Sequence, residues 1–150
     1  MRPAGVLLAV ALAVPQSVAP GGHWIRDRMV VIVNPASGVT KLTREEAKNI
    51  FMGRTRFLRP GLVALPVEQA APESSRARFY DLLVNLPLAE VRTYWAHLYF
   101  SGQAQPPRQT ASEEETLEVV AANKGAIGFV DSDKVDQRVK GVLVLEKPVP

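Results

Sequence analysis

Ser74-Ser75-Arg76 is the triplet of this chain whose chemistry is easiest to state. It follows a short apolar segment and a proline-containing loop. It precedes Phe79, Leu82, Leu83 and Leu86, which fall on one face at helical spacing. A helix is therefore expected to start near Ser74. Helix N-termini expose unpaired N–H groups and partial positive charge, so they receive anions. Two serine hydroxyls add donors, and an arginine adds a planar fork suited to phosphate oxygens. The chemistry implied is oxyanion binding by Ser74, Ser75 and Arg76. The same residues have a plainer use, because Ser74 or Ser75 would also serve as an ordinary helix cap.

No other cluster makes a comparable case. Asp131-Ser132-Asp133 with Asp136 resembles the opening of a calcium loop. However, Asp136 stands at the sixth position, where glycine is needed, and Val142 stands where the closing glutamate belongs. The stretch is read as a turn. His97 falls beside Trp95 and Leu98 in a helical pattern, where packing is its ordinary role, and His23 is the other histidine. No G-x-S-x-G, G-x-x-x-x-G-K-[ST] or G-x-G-x-x-G motif occurs. The chain reads as non-catalytic, with no metal and no cofactor. It has no cysteines, so neither disulfides nor thiol chemistry enters, as suits an oxidising compartment.

Net charge is +3 with a pI near 9.4, a slight basic excess. Lys41, Arg44, Lys48, Arg54, Arg56 and Arg59 cluster around one predicted helix and its exit. They form either a solvated face or a surface that attracts anions or an acidic partner. Aromatic residues do not interleave with them, so a nucleic-acid partner is not expected. Tyr94, Trp95, Tyr99 and Phe100 form an aromatic group, with a core role by default and a partner surface where they face outward.

Several elements must position these residues. Met29 to Val33 is a continuous apolar run, as a strand buried on both faces requires, and Asn34-Pro35 breaks it. Thr43 and Glu46 form a capping box for a helix through Ala47, Ile50 and Phe51, with Gly53 as its stop. Arg54 to Gly61 is read as a loop. Leu62 to Val67 is read as a strand, with Pro66 marking its end or a sheet edge. After the helix near Ser74, Pro87 opens another, with Leu88, Val91, Trp95 and Leu98 as its stripe and Gly102 as its end. Gln103 to Ala111 is a surface loop. Ser112 and Glu115 repeat the capping box before Leu117, Val120 and Ala121. Ala126 to Val130 and Val142 to Leu145 are the last strands, joined by a polar stretch. The order β-α-β-α-α-α-β-β gives an α/β layered domain.

Two blocks carry a resemblance. Asn34-Pro35, Leu42-Thr43-Arg44-Glu45-Glu46 and Ile50-Phe51-Met52-Gly53 come first, and Gly125-Ala126-Ile127-Gly128-Phe129-Val130 follows in the same order. Over roughly Met29 to Leu145 the chain resembles the phosphate-binding periplasmic receptors of ABC importers. The resemblance implies an α/β fold of the type II periplasmic-binding-protein kind, cut to a single lobe, with helices packed on a mixed, mostly parallel sheet. It implies phosphate or a related oxyanion as ligand and a membrane transporter or sensor as partner. In those receptors a Ser-Gly-Thr helix start and an upstream arginine hold phosphate. Here Ser74 stands for the serine, Ser75 and Arg76 fall where glycine and threonine would be, and Glu68 or Gln69 replaces the arginine. About half of the family's phosphate cage comes from loops that precede Met29, so a homodimer or a partner lobe would supply the rest.

Residues 1–22 are read as a signal peptide. Arg2 is basic, Val6 to Val14 is apolar but too short to span a bilayer, and small residues follow. Residues 23–150 would then be a periplasmic domain. Two functions remain open: an exported oxyanion-binding protein, or a ligand-free interaction or signalling module that reuses the binding-protein fold.

Overall fold

The structure is a computed structural model, and it describes residues 28–148. The expected signal peptide lies outside the described residues. The elements are β1 (Met29–Val33), α1 (Arg44–Phe51), β2 (Phe57–Arg59), β3 (Leu62–Val63), β4 (Leu65–Gln69), α2 (Glu73–Val84), α3 (Leu88–Phe100), β5 (Arg108–Thr110), α4 (Glu113–Ala122), β6 (Ala126–Asp131) and β7 (Lys140–Leu145). Short 3-10 turns occupy Pro35–Ser37 and Ser132–Lys134.

Five strands form one sheet in the order β5-β4-β6-β1-β7. β4 pairs in parallel with β5 and β6, whereas β1 pairs antiparallel with β6 and β7. Four strands therefore run one way and β1 alone runs the other, which makes the sheet mixed and mostly parallel.

Alternation along the central strands divides the core in two. Met29, Val31 and Val33 of β1 join Ile127 and Phe129 of β6 under α1, α2 and α3. Val30 and Ile32 join Val67, Ala126 and Val130 under α4, with Leu117 and Val120. Every β1 side chain is buried, which explains why its sequence is a continuous apolar run without alternation. Helices on both faces also leave the sheet centre dry. Gly128 faces α4, where a Cβ would come within 2.9 Å of Thr116 Cγ2, so its absence lets helix and sheet approach.

Local signals on the first helix hold. Thr43 accepts from the Glu46 N–H while Glu46 accepts from the Thr43 N–H, both at 3.1 Å. Gly53 lies in the left-handed region at φ 72°, and a Cβ there would meet the Trp95 ring at 2.6 Å. Two requirements thus converge on glycine at that position: the helix stop and the close approach of α3.

Other expectations need correction. The segment read as a loop from Arg54 to Gly61 contains β2, which forms a separate hairpin with β3. The next strand does not end at Pro66. It continues to Gln69, because β4 pairs with β6 at Leu65 and Pro66 and with β5 from Val67 onward. The loop from Gln103 to Ala111 contains β5, an edge strand of three residues. These short strands have no hydrophobic period of their own, and their neighbours in space create them.

Candidate functional site

β4, β5 and β6 point their C-terminal ends at one edge of the sheet, where α2 and α4 begin. Ligands of open α/β sheets gather at such an edge. The two helix starts differ. Ser112 accepts from the Glu115 N–H at 3.1 Å. The Glu115 carboxylate takes the Ala111 N–H at 2.7 Å, one residue earlier than a full capping box requires. Glu113 accepts from the Asp131 N–H at 2.9 Å. The start of α4 is therefore occupied by its own carboxylates.

The start of α2 is not. The helix begins at Glu73, one residue before the expected Ser74, and its N-cap is Pro72, with no side-chain cap. Capping by Ser74 or Ser75 is thereby corrected: both lie inside the first turn, too late to accept from the orphan amides. Ser74 is exposed, Ser75 is half-buried, and neither hydroxyl has a partner among the described residues. Two serine donors thus stand beside an uncapped helix start.

Arg76 is placed differently. It is buried, and its Nη1 donates to Glu68 at 3.4 Å. Tyr80 donates its hydroxyl to the other Glu68 oxygen at 2.6 Å. Glu68 sits inside β4 on the face that α2 covers, so the strand brings a carboxylate under the helix and the helix answers with a guanidinium and a phenol. Burial pushes the Tyr80 hydroxyl well above its ordinary range near 10, and the Glu68 charge and hydrogen bond push the same way against a smaller pull from Arg76. The phenol is thus a donor at any physiological pH.

This has a pH consequence. The folded-state pKa of Tyr80 is raised, so stability is fully present below the unfolded value and is lost as pH rises past about 10. Urea midpoints measured between pH 9 and pH 11.5 should fall steeply for the native chain and more gently for Tyr80→Phe. Parallel profiles would remove Tyr80 from that role.

The remaining groups at the edge are mostly acidic. Asp131 pairs with Arg78. Burial raises the Asp131 carboxyl, Arg78 pulls it down, and Glu113 and Asp133 raise it further. Gln69, at the end of β4, is wholly buried with both amide atoms unpartnered. Sequence reasoning noticed Glu68 and Gln69 only as replacements for an arginine. It missed Tyr80, and no spacing rule would have found it, because its link to Glu68 depends on how α2 crosses β4. The stretch after Asp131 is a turn as expected, with Arg138 bonded to Asp136 and Glu114 at 2.8 and 2.7 Å.

Among the described residues no group of three metal-ligating side chains converges, and no helix is long and apolar enough to cross a membrane. Neither a protein-family profile nor a curated protein sequence matches the chain. Solved structures do. An ABC-type phosphate transport receptor from Vibrio cholerae is 23% identical with a TM-score of 0.61, over 77% of this chain and 45% of the receptor. A putative phosphate ABC transporter substrate-binding protein from Clostridium perfringens, with bound phosphate, is 18% identical with a TM-score of 0.61, over 77% of this chain and 44% of that one. PstS from Borrelia burgdorferi is 16% identical with a TM-score of 0.57, over 77% and 46%. The chain spans less than half the length of these proteins, and it has the fold of phosphate-receptor proteins of ABC transporters in the extent of about one lobe.

Proposed function

We propose that the chain is an exported, non-catalytic binding protein for phosphate or a related oxyanion. The observation that carries this reading is the uncapped start of α2 with the free hydroxyls of Ser74 and Ser75 beside it. The Glu73 and Ser74 amides and two hydroxyls would hold the oxygens, since the Ser75 amide already donates to the Pro72 carbonyl at 3.1 Å, and the helix dipole would favour the charge. Arg76 would join them by giving up its long contact to Glu68. One lobe offers an open shelf, so binding is weak unless a second copy or a partner lobe covers it. The shared fold supports this ligand class, and a membrane transporter or sensor is the natural partner. The signal peptide and a periplasmic location belong to the same proposal. N-terminal sequencing of periplasmic material should find a chain starting between residues 20 and 23, and an intact Met1 would contradict export by cleavage.

Calorimetry with phosphate, using sulfate as control, tests the reading. Saturable heat is expected, with a preference for phosphate, and Ser75→Ala should weaken it several-fold. No heat at millimolar phosphate would favour a second function, an interaction or signalling module. Two observations already lean that way: Glu68 engages Arg76, and Phe57, Val63, Tyr99 and Phe100 are exposed on the hairpin and the end of α3.

A further inference from the structure

We propose that the β2–β3 hairpin docks the protein onto a membrane surface carrying anionic lipids. Alternation along the hairpin sets its two faces. Leu58 is only 5% exposed and joins the core, and Leu62 packs partly against it. Their chain neighbours Phe57 and Val63 therefore turn outward. Phe57 and Val63 are cross-strand partners, 52% and 64% exposed, so they form one apolar pair on the outer face. The turn at Pro60-Gly61 is exposed as well, and a Cβ on Gly61 would meet nothing within 4 Å.

Charge selects the kind of surface. Arg54 and Arg56 lead into β2 and are exposed, and neither has an ion-pair partner among the described residues. The hairpin lies against the start of β6. There the Leu65 N–H donates to the Gly125 carbonyl at 2.9 Å, and a Cβ on Gly125 would strike the Val63 carbonyl. Lys124, the residue before that contact, is exposed and likewise without an ion pair among the described residues. The sequence holds no acidic residue from Ala47 to Val67 or from Val119 to Val130. Acidic groups gather instead at the opposite edge of the sheet, with Glu68, Glu73, Glu113 and Asp131. Free cations beside an apolar pair match lipid phosphates above an acyl layer, and arginine stems lie along apolar surface while their charges stay at headgroup level. Two apolar side chains are too few for the core of a stable protein interface, which covers about 800 Å² on each partner. They suffice for the headgroup region, where apolar burial and charge attraction add. The oxyanion shelf lies at the other edge, so a docked protein keeps it away from the lipid.

The chain has no cysteine, so Val63→Cys carrying a nitrobenzoxadiazole label reports from the hairpin alone. The whole chain is titrated with vesicles of equal parts phosphatidylglycerol and phosphatidylcholine, and separately with pure phosphatidylcholine. Gln137→Cys with the same label, in the exposed connection after β6, is the comparator. The label at position 63 should brighten and shift to shorter wavelength on the phosphatidylglycerol vesicles and stay unchanged on phosphatidylcholine. The label at position 137 should not respond to either. Arg54→Gln combined with Arg56→Gln should weaken the response at position 63 about tenfold, and Phe57→Ser should weaken it several-fold. All three replacements fall at exposed positions, so the core stays packed. No response at position 63 would overturn the proposal and leave the pair to an acidic protein. An equal response at position 137 would overturn it too, because the chain would then adsorb without the hairpin, as through the apolar run Val6 to Val14. Undiminished binding by the arginine variant, or an equal response to phosphatidylcholine, would overturn the charge argument and with it the anionic surface. Failure here leaves the phosphate calorimetry untouched, because that experiment reads the other edge.

Discussion

Arg76→Ala should lower the free energy of unfolding by about 3 kcal/mol, the scale seen when one partner of a buried ion pair is removed. Glu68 is only 8% exposed, and its charged neighbour is Arg76 at 3.4 Å. Without the guanidinium, the carboxylate keeps only the Tyr80 hydroxyl as a side-chain donor. It must then draw in water or unfold the region. Urea denaturation at pH 7 measures the loss. Combining Glu68→Gln with Arg76→Met should be milder than the two single losses added, because the double variant leaves no buried charge. A loss below about 1 kcal/mol for Arg76→Ala would show that the pair is solvated, as surface pairs are. The result also bears on ligand binding, since any weakening of phosphate affinity by this variant must be separated from its stability cost.

Phe79→Ala should cost about 3–5 kcal/mol, the range for emptying a large aromatic site in a packed core. Phe79 is wholly buried and stacks on Phe129 of β6, with ring centroids 3.7 Å apart and planes 6° from parallel. Phe51 of α1 meets it edge-on at 4.8 Å. One ring therefore ties α1 and α2 to the central sheet, and its truncation opens a void that three elements must close. Thermal or urea unfolding gives the number. If the variant lost only about 1 kcal/mol, the three-element contact would have collapsed around the gap, and the aromatic cluster would not be what fixes α2 over β6.

Much of the framework was legible because its signals are local. Met29 to Val33 announced a strand buried on both faces by composition alone. Thr43 and Glu46 are three residues apart, and a capping box needs nothing from the rest of the chain. Gly53 and Gly102 both adopt positive φ just beyond helices that were expected to stop there. The edge strand Arg108–Thr110 and the hairpin strand Phe57–Arg59 were not legible. Their extended state depends on partners that lie far along the chain or on a tight turn, and their residues show no alternation that a window can detect.

The candidate site divides in the same way. Residue types placed two serines and an arginine at a helix start, and the fold does put that start at the C-terminal edge of the sheet. The direction each side chain takes was a tertiary matter. Glu68 lies eight residues before Arg76 and twelve before Tyr80, and only the crossing of α2 over β4 brings the three together. Local chemistry within a turn of helix or a single strand was thus determined by the sequence itself, because those interactions act between near neighbours. Whether Arg76 faces an anion or a buried carboxylate was decided by packing, because desolvation and pairing depend on what the folded chain places beside it.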